Sequence, residues 1–179
     1  MPKAARLFHV SEQAGIGRFQ PRPVPAPDSG IEGDAVWAVD EEHLANFLLP
    51  RDCPRVTFRI AENTTSEDKA RFFAHSSARA VIAVEARWFP AISSCRLYLY
   101  EMPPKTFLLA VAPAGYYISR EAVSPLAVSE MDNLVARILE REVELRILPG
   151  LWPLSDAVAA SSLEFSIIRM KNAAPPAHS

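Results

Sequence analysis

Alternation of apolar and polar residues predicts a series of short β-strands along this chain. Successive side chains of a strand point to opposite faces, so a period of two marks a half-buried strand. The alternating segments are rich in β-branched and aromatic residues and are bounded by polar or turn residues. The predicted strands are residues 6–11, 35–39, 56–60, 80–86, 96–100, 106–111, 116–119, 123–128 and 143–147.

Helical spacing of apolar residues predicts three helices between these strands. The first begins at Asp40, whose carboxylate can cap backbone N–H groups, and ends at Pro50. The second begins at Thr65, which forms a capping box with Asp68. The third begins at Ser129 and is amphipathic. The apolar positions at helical spacing are Leu44, Phe47 and Leu48 in the first helix, Ala70, Phe72 and Phe73 in the second, and Met131, Leu134, Val135, Ile138 and Leu139 in the third.

The order of these elements predicts an α+β fold. Strands cluster in the middle of the chain instead of alternating strictly with helices, which favours a central mixed, mainly antiparallel sheet. About three to four helices flank this sheet, because residues 156–160 add a short helix, while residues 165–168 fit either a helix or a strand. The chain has 179 residues, 49 % of them hydrophobic, and we expect a single domain over residues 1–172.

Proline content indicates stiff connections between the elements. The chain has 16 prolines against only 6 glycines, and proline fixes the φ angle of the backbone. The densest run lies in a Pro-rich loop over residues 20–30, which is either a lid or an exposed connection without a role. Residues 173–179 contain two prolines and no apolar anchor, and we expect them to form a disordered tail.

Charge and apolar runs limit the classes of partner. Lysine and arginine number 19 against 21 acidic residues, and a net charge of -2 argues against a general nucleic-acid coat or an anionic membrane surface. No window approaches the roughly 20 apolar residues that a membrane-spanning helix needs, and no N-terminal signal pattern is present. We therefore expect a cytoplasmic protein, and its oligomeric state is open.

The cysteines and histidines match no metal-binding or redox motif. Cys53 and Cys95 lie far apart in sequence and form neither a CxxC pair nor a metal knuckle, so two ordinary thiols are predicted. The four histidines are scattered without HxxxH spacing, and no metal site is predicted.

Three candidate site residues lie at or near the ends of predicted strands, where loops can assemble a site. His9 lies between Phe8 and Val10, so its side chain faces away from theirs and serves either a cleft or the structure, as a hydrogen-bonded histidine. Ser11 shares the face of His9, but no GxSxG elbow presents its hydroxyl as a nucleophile. Trp37 precedes a helix start and is the third candidate.

Arg51 and Arg55 provide the candidate positive charge. They flank Asp52 in a loop that Pro50 and Pro54 stiffen, and could present a fixed fork to a phosphate or carboxylate. Alternatively, Asp52 forms an internal ion pair with one of the two arginines and anchors the loop. The sequence leaves both interpretations open.

Three short motifs resemble those of the ADP-ribosyltransferase-like fold. Its members often begin with a strand that carries a His followed two residues later by Ser or Thr, as in His9-Val10-Ser11. Their second strand carries an aromatic residue and runs into a helix, and residues 36–47 look like that unit. Residues 116–119 and 123–125 are similar to a later strand followed by Val-x-Pro. The resemblance spans residues 6–128 and implies that the sheet is split.

This resemblance implies a site for NAD. His9 would hold the NAD ribose, and aromatic side chains would enclose the nicotinamide. Tyr116 occupies the position of the catalytic glutamate of that fold, and a phenol, uncharged up to about pH 10, cannot replace a carboxylate at neutral pH. Glu121 is the alternative acid if the register is shifted, so the candidate catalytic residues are His9 and Glu121.

Three functions are compatible with these residues. The first is binding of a nucleotide-type or other anionic ligand in an ADP-ribosyltransferase-like cleft that lacks the usual glutamate. The second is an active NAD-dependent transferase or glycohydrolase, and the third is a non-catalytic structural or partner-binding domain. The whole chain, including residues 49–55 and 148–153, also looks like a family of small bacterial proteins of unknown function, which implies no activity. We prefer the first function, with His9, Ser11, Trp37, Arg51 and Arg55 as ligand-binding residues.

Overall fold

Two β-sheets organise the protein. A computed structural model describes residues 6–23 and 31–176. The chain divides into two compact units, each built from two stretches: unit 1 comprises Met1–Phe47 and Arg96–Asp132, and unit 2 comprises Leu48–Cys95 and Asn133–Ser179. Each unit contains one sheet, and all four α-helices belong to unit 2. The predicted α+β class with mainly antiparallel strands is confirmed, whereas the single domain over residues 1–172 stays a prediction.

The elements are numbered in chain order within the described residues. The strands are β1 (Leu7–Ser11), β2 (Arg22–Pro23), β3 (Asp34–Asp40), β4 (Arg55–Arg59), β5 (Ala80–Glu85), β6 (Leu97–Met102), β7 (Leu108–Val111), β8 (Tyr116–Ser119), β9 (Ala127–Met131), β10 (Val143–Leu148) and β11 (Glu164–Ile168). The helices are α1 (Ser66–Phe73), α2 (Phe89–Ser94), α3 (Leu134–Leu139) and α4 (Trp152–Ala159).

Unit 1 is an antiparallel sheet with strand order β7-β8-β3-β1-β6-β9, and the short β2 pairs with the beginning of β3. One face of this sheet supports an apolar cluster, because alternate residues of β1, β3 and β6 point the same way. Loop residues Phe19, Phe107 and Val123 close over it. The strand residues in this cluster are Leu7, Val36, Ala38, Tyr100 and Met102.

Unit 2 is a mixed sheet with strand order β10-β5-β4-β11. β10 runs parallel to β5, and the other neighbours are antiparallel. The helices α1 and α4 cover one face with Phe72, Phe73 and Val158. The strand residues that meet them include Val56, Phe58, Val81 and Ala83, and this packing forms the core of the unit.

The structure confirms Thr65 as the N-cap of α1 but not the reciprocal half of the predicted capping box, because the backbone N–H of Thr65 donates to the Ser162 hydroxyl at 2.9 Å and not to Asp68. Thr65 precedes the helix in an extended conformation, and its hydroxyl accepts a hydrogen bond from the backbone N–H of Asp68 at 3.2 Å. The Asp68 carboxylate is engaged in turn by Ser162, whose backbone N–H and hydroxyl donate to Oδ2 at 2.7 Å and 2.5 Å. The helix start is therefore tied to the loop before β11.

Replacing Asp68 by asparagine is expected to lower stability at neutral pH and to make stability less sensitive to acid. Hydrogen bonds from the Ser162 hydroxyl and backbone hold the pKa of Asp68 below its usual range. The stabilisation is present above the unfolded-state pKa of about 3.9 and is lost as the pH falls through the lower folded-state pKa. Urea unfolding at pH 7 and pH 3 measures this, and the gap between wild type and variant should narrow in acid. Glu67→Gln, an exposed neighbour in the same turn, is the control.

The helix predicted to begin at Asp40 and end at Pro50 is wrong in type and length. Asp40 does cap, since its Oδ1 accepts the backbone N–H of His43 at 2.9 Å. However, the segment forms a turn and a single 3-10 helix over Leu44–Phe47, and no α-helix follows before Pro50. Only nine residues lie between Asp40 and Pro50, and the residue before a proline avoids the helical region, so little chain is available for a helix.

Around residue 129 the predicted boundary between strand and helix is also wrong. Val123 forms only an isolated bridge with Phe19, and the strand β9 extends through Ser129 to Met131. Ser129 pairs with Leu99 of β6 instead of capping a helix. The helix α3 begins later, after Asn133, whose backbone has a φ of 47°. Pairing with a long neighbouring strand overrides the local helical pattern here.

The structure differs from the predicted elements at two further places, and at a third it decides between two predicted alternatives. The strand β5 ends at Glu85, and a 3-10 turn and α2 follow it, which the sequence analysis missed. The helix α4 begins at Trp152 with Pro153 in its first turn, four residues before the predicted start. The segment that fitted either a helix or a strand is the strand β11.

The structure describes only part of the predicted Pro-rich loop over residues 20–30 and of the predicted tail over residues 173–179. In the Pro-rich loop, Arg22 and Pro23 pair with β3, whereas residues 24–30 lie outside the described residues. Near the C-terminus, Ala174 is held on both sides: its N–H donates to Glu85 at 2.9 Å, and its carbonyl accepts from Trp152 at 2.8 Å. Ordered structure therefore continues past Ala173, and residues 177–179 lie outside the described part.

Candidate functional site

His9 lies on the apolar-cluster face of the unit 1 sheet. It is opposite Tyr100 on β6, and its ring lies 4.6 Å from that of Phe19, which also contacts Tyr100. His9 Nδ1 is 2.8 Å from the carbonyl oxygen of Trp37. A carbonyl only accepts, so Nδ1 carries the proton and the ring orientation is fixed by the backbone of β3.

Trp37 points to the other face of the same sheet. In the pairing of β3 with β8, Trp37 is opposite Ile118 and shares its face with Tyr116. The Trp37 and Tyr116 rings make an edge-to-face contact at 5.4 Å, and Tyr116 also lies 5.4 Å from Phe47. The indole Nε1 of Trp37 is buried and has no hydrogen-bond partner among the described residues. The side chains of His9 and Trp37 therefore do not line one pocket.

Ser11 and Glu121 are placed by local hydrogen bonds. The Ser11 hydroxyl accepts the backbone N–H of Gln13 at 3.0 Å and so forms a turn at the end of β1. Glu121 follows β8 with an exposed side chain, and its backbone N–H donates to the hydroxyl of Ser119 at 3.2 Å. The roles of Ser11 in ligand binding and of Glu121 in catalysis stay predictions.

Arg51 and Arg55 differ sharply in environment, although both belong to unit 2. Arg51 is exposed, whereas Arg55 is only 2 % exposed. The Arg55 guanidinium donates to the carbonyl of Cys53 at 2.9 Å and to that of Pro50 at 2.7 Å. These bonds brace the loop through its backbone.

A second histidine of unit 1, His43, was not singled out from the sequence. Its Nδ1 lies 2.7 Å from Oδ1 of Asp40, and its side chain is buried. Gly115, in the left-handed region with a φ of 62°, passes directly over this pair. Neither the spacing of Asp40 and His43 nor Gly115 predicts this contact, because it depends on the loop that joins β7 and β8.

A concave surface lies in unit 2, between the end of α1 and the edge strand β10. We call it the α1–β10 groove. Its volume is about 440 Å³, which lies within the range of small-molecule sites. Six polar residues and two apolar residues line it. The polar ones are Arg71, His75, Ser76, Ser77, Glu144 and Arg146, and the apolar ones are Phe72 and Ala74.

Arg146 joins the two walls of this groove. Its Nε donates to Oε1 of Glu144 at 2.7 Å, and its Nη2 donates to the carbonyl of Phe72 at 2.6 Å. The last carbonyls of a helix have no partner within the helix, so Arg146 satisfies one at the end of α1. A guanidinium has five N–H donors, and these two bonds leave three for other partners.

Charges in the groove favour an anion. The Arg71 guanidinium packs over the ring of Phe72, 5.1 Å from its centroid, and the Arg71 side chain is exposed to solvent. Glu144 is the acidic residue in the lining, so the formal charges of Arg71 and Arg146 outnumber it by one. The hydrogen bond from Arg146 holds the pKa of Glu144 below its usual range, so Glu144 is ionised at neutral pH.

None of the groove residues was predicted from the sequence as a site residue. One signal was available: Glu144 and Arg146 are two apart on a predicted strand and must share a face. The other wall was not readable, because residues 71–77 reach β10 only through the parallel pairing of β5 with β10. Such a pairing joins segments some sixty residues apart and is set by tertiary packing.

The cysteines and possible metal ligands add no further site. Neither cysteine forms a disulfide, and burial raises the pKa of the Cys53 thiol to about 11. The buried thiol is therefore protonated at neutral pH. Within residues 6–23 and 31–176 no group of three or more His, Cys, Asp or Glu side chains is arranged to hold a metal ion.

Comparisons with known proteins give a family but no activity. No helix in the described part of the chain is both long enough and apolar enough to cross a membrane. No curated protein matches the chain, and no solved structure does so. A family model matches residues 8–173, nearly the whole chain. The predicted membership of a family of unknown function is thereby confirmed, and the chain belongs to the family of unknown function DUF6886.

Proposed function

We propose that this protein binds a small phosphate-bearing ligand in the α1–β10 groove. The observation that carries the proposal is the placement of two arginines on opposite walls, Arg71 on α1 and Arg146 on β10, around a groove of about 440 Å³. Guanidinium groups bind phosphate oxygens through charge-assisted hydrogen bonds, which are about twice as strong as neutral ones.

The two arginines have different tasks in this proposal. Arg146 is held by Glu144 and by the Phe72 carbonyl, so its remaining donors point in a fixed direction and little entropy is lost on binding. Arg71 is exposed and closes over the bound anion. The hydroxyls of Ser76 and Ser77, in the turn between α1 and β5, supply neutral hydrogen bonds to the same group.

The proposed ligand is still the anionic, nucleotide-type ligand expected from the sequence, but its proposed binding site is the α1–β10 groove instead of the residues predicted from the sequence. NAD and ADP-ribose, which the resemblance to the ADP-ribosyltransferase-like fold implies, carry phosphates and fall within the proposed class. Binding by His9, Ser11 and Trp37 together has weaker support, since His9 and Trp37 point to opposite faces of their sheet. Catalysis by His9 and Glu121, and a cytoplasmic location, stay predictions.

Arg71→Met is expected to weaken phosphate binding about tenfold or more. A hydrogen bond to a charged group contributes roughly 1.5–3 kcal/mol, and about 1.4 kcal/mol corresponds to a factor of ten in affinity. The measurement is isothermal titration calorimetry with inorganic phosphate, followed by ADP-ribose and NAD. Stability should change little, because the Arg71 side chain is exposed.

Arg79→Met is the matched control. Arg79 is exposed and follows the turn that contains Ser76 and Ser77, but it does not line the groove. The Arg79→Met substitution removes the same charge from the same region as Arg71→Met, so any general electrostatic effect appears in both variants. Equal weakening by the two substitutions, or the absence of saturable phosphate binding by the wild type, would contradict the proposal.

A further inference from the structure

Glu144 has one satisfied and one unsatisfied oxygen in the α1–β10 groove. Oε1 accepts the hydrogen bond from Arg146 Nε at 2.7 Å. Oε2 is buried and has no hydrogen-bond partner in the described residues. An ionised oxygen shielded from water and left without a donor is costly, so a ligand that brings a donor to it gains affinity.

The phosphate group of an ester without a sugar, such as methyl phosphate, does not meet this requirement. Its second pKa is about 6, so at neutral pH its terminal oxygens are mainly unprotonated acceptors. They carry the same sign of charge as the Glu144 carboxylate, so they suit Arg71 and Arg146 but repel Glu144. A neutral hydroxyl is a donor that a carboxylate accepts without repulsion. The last torsion angle of a glutamate side chain is soft, so the carboxylate can turn towards a hydroxyl that enters the groove.

The two groups are close enough to contact one small sugar phosphate. Glu144 and Arg146 are alternate residues on β10, so their side chains share one face, and Arg146 Nε lies 2.7 Å from Glu144 Oε1. A phosphorylated pentose carries ring hydroxyls a few bonds from its phosphate and can reach both groups. An ion binding to Arg146 and a hydroxyl binding to Glu144 can therefore belong to the same small molecule.

We infer that the α1–β10 groove selects a sugar phosphate over a phosphate ester without a sugar hydroxyl, with the phosphate on Arg71 and Arg146 and a ring hydroxyl on Glu144 Oε2. This inference rests on the proposed function, which supplies the phosphate site. The shared chemistry is a ribose phosphate, either free or as part of a nucleotide. Glu144 is thus the residue that determines specificity, and the arginines provide most of the affinity.

Calorimetric titration of the full chain with methyl phosphate, ribose 5-phosphate and AMP tests the inference. Methyl phosphate has the phosphate ester but no hydroxyl, so it is the matched control ligand. Ribose 5-phosphate or AMP should bind about tenfold more tightly than methyl phosphate, as one hydrogen bond to a charged acceptor predicts. The comparison of ribose 5-phosphate with AMP identifies whether the free sugar or the nucleotide is the better source of this group.

Glu144→Gln provides the second arm. Glutamine keeps a carbonyl oxygen for Arg146 Nε and replaces Oε2 by an amide donor, so the preference for the sugar should fall to about threefold or less, with methyl phosphate still bound. Equal binding of all three ligands by the wild type, or a preference that persists in the variant, would overturn the inference and leave the proposed phosphate site intact. Failure of every ligand to bind would instead reject the proposed function itself. Because the wild-type comparison stands alone, the test does not depend on how well the variant folds.

Discussion

Gly115→Ala should lower the free energy of unfolding by about 2–5 kcal/mol. Two effects add. The φ of 62° at Gly115 is a left-handed conformation, which costs a residue with a Cβ roughly 1–2 kcal/mol. In addition, a Cβ there would lie 2.6 Å from Cγ of His43 and 2.8 Å from Oδ1 of Asp40, and closer still to Nδ1 of His43. Overpacking of this kind costs about 1–3 kcal/mol.

The contact partners of Gly115 cannot move away cheaply. His43 is buried, and its backbone N–H and its Nδ1 both donate hydrogen bonds to the Asp40 carboxylate. The backbone N–H of Asp40 also donates to the carbonyl of Gly115 at 3.0 Å, which fixes the two segments together. A displacement large enough to admit a methyl group therefore breaks bonds at the end of β3.

Urea unfolding of Gly115→Ala and Gly15→Ala separates the two effects. Gly15 has a φ of 72° but no atom within 4 Å of the added methyl group, so its variant measures the backbone cost alone. Gly115→Ala should be more damaging by the full overpacking cost. In a His43→Ala background this excess should shrink, because the most crowded partner is gone. Equal losses at the two glycines would show that the contact with His43 carries no energy.

Local patterns in the sequence identify the elements whose signals are local. The strands β1, β3 and β8 follow their alternation, and α1 begins after its predicted N-cap, because the Thr65 hydroxyl and the Asp68 backbone N–H lie within one helical turn. Where a partner strand offers more hydrogen bonds and packing than the local pattern, the local pattern fails. Ser129 shows this, since its pairing with β6 outweighs its helix-capping tendency.

Side-chain placement depends on pairings that no local pattern contains. His9 and Trp37 both follow strand alternation. Whether their side chains point to the same face of the sheet is set by the register of β1 and β3, and the two residues are nearly thirty positions apart in sequence. The same holds for the α1–β10 groove, where Glu144 and Arg146 were readable as one face of a strand. The residues of the α1 end that complete the groove were not, because only the parallel β5–β10 pairing brings them there.

Arg55→Met should destabilise the protein by about 2–5 kcal/mol. Methionine fills most of the volume of the arginine side chain, so the cost arises mainly from hydrogen bonding and not from a cavity. The Cys53 carbonyl loses the donor 2.9 Å away, and a buried acceptor left without a donor costs roughly 1–3 kcal/mol. The Pro50 carbonyl loses the guanidinium donor at 2.7 Å but keeps the backbone N–H of Cys53 at 3.0 Å, so its loss is that of one charge-assisted hydrogen bond, roughly 1.5–3 kcal/mol. Arg55→Lys should fall between wild type and Arg55→Met, since one ammonium group cannot reproduce the spread donors of a guanidinium.

Arg51→Met is the control that distinguishes two roles of Arg55, which are stabilising the loop through backbone hydrogen bonds and binding a ligand. Arg51 occupies the same loop and carries the same charge, but it is exposed, and its loss should change stability by no more than about 0.5 kcal/mol. Urea unfolding of both variants, combined with titration of phosphate and ADP-ribose, reads out both properties. If Arg55 presents its charge to a ligand, Arg55→Met should weaken ligand binding and leave stability nearly unchanged. That result would contradict the structural role of Arg55 in holding the loop. Loss of stability with phosphate affinity retained would place Arg55 among the residues that hold the loop, because its donors already belong to the backbone.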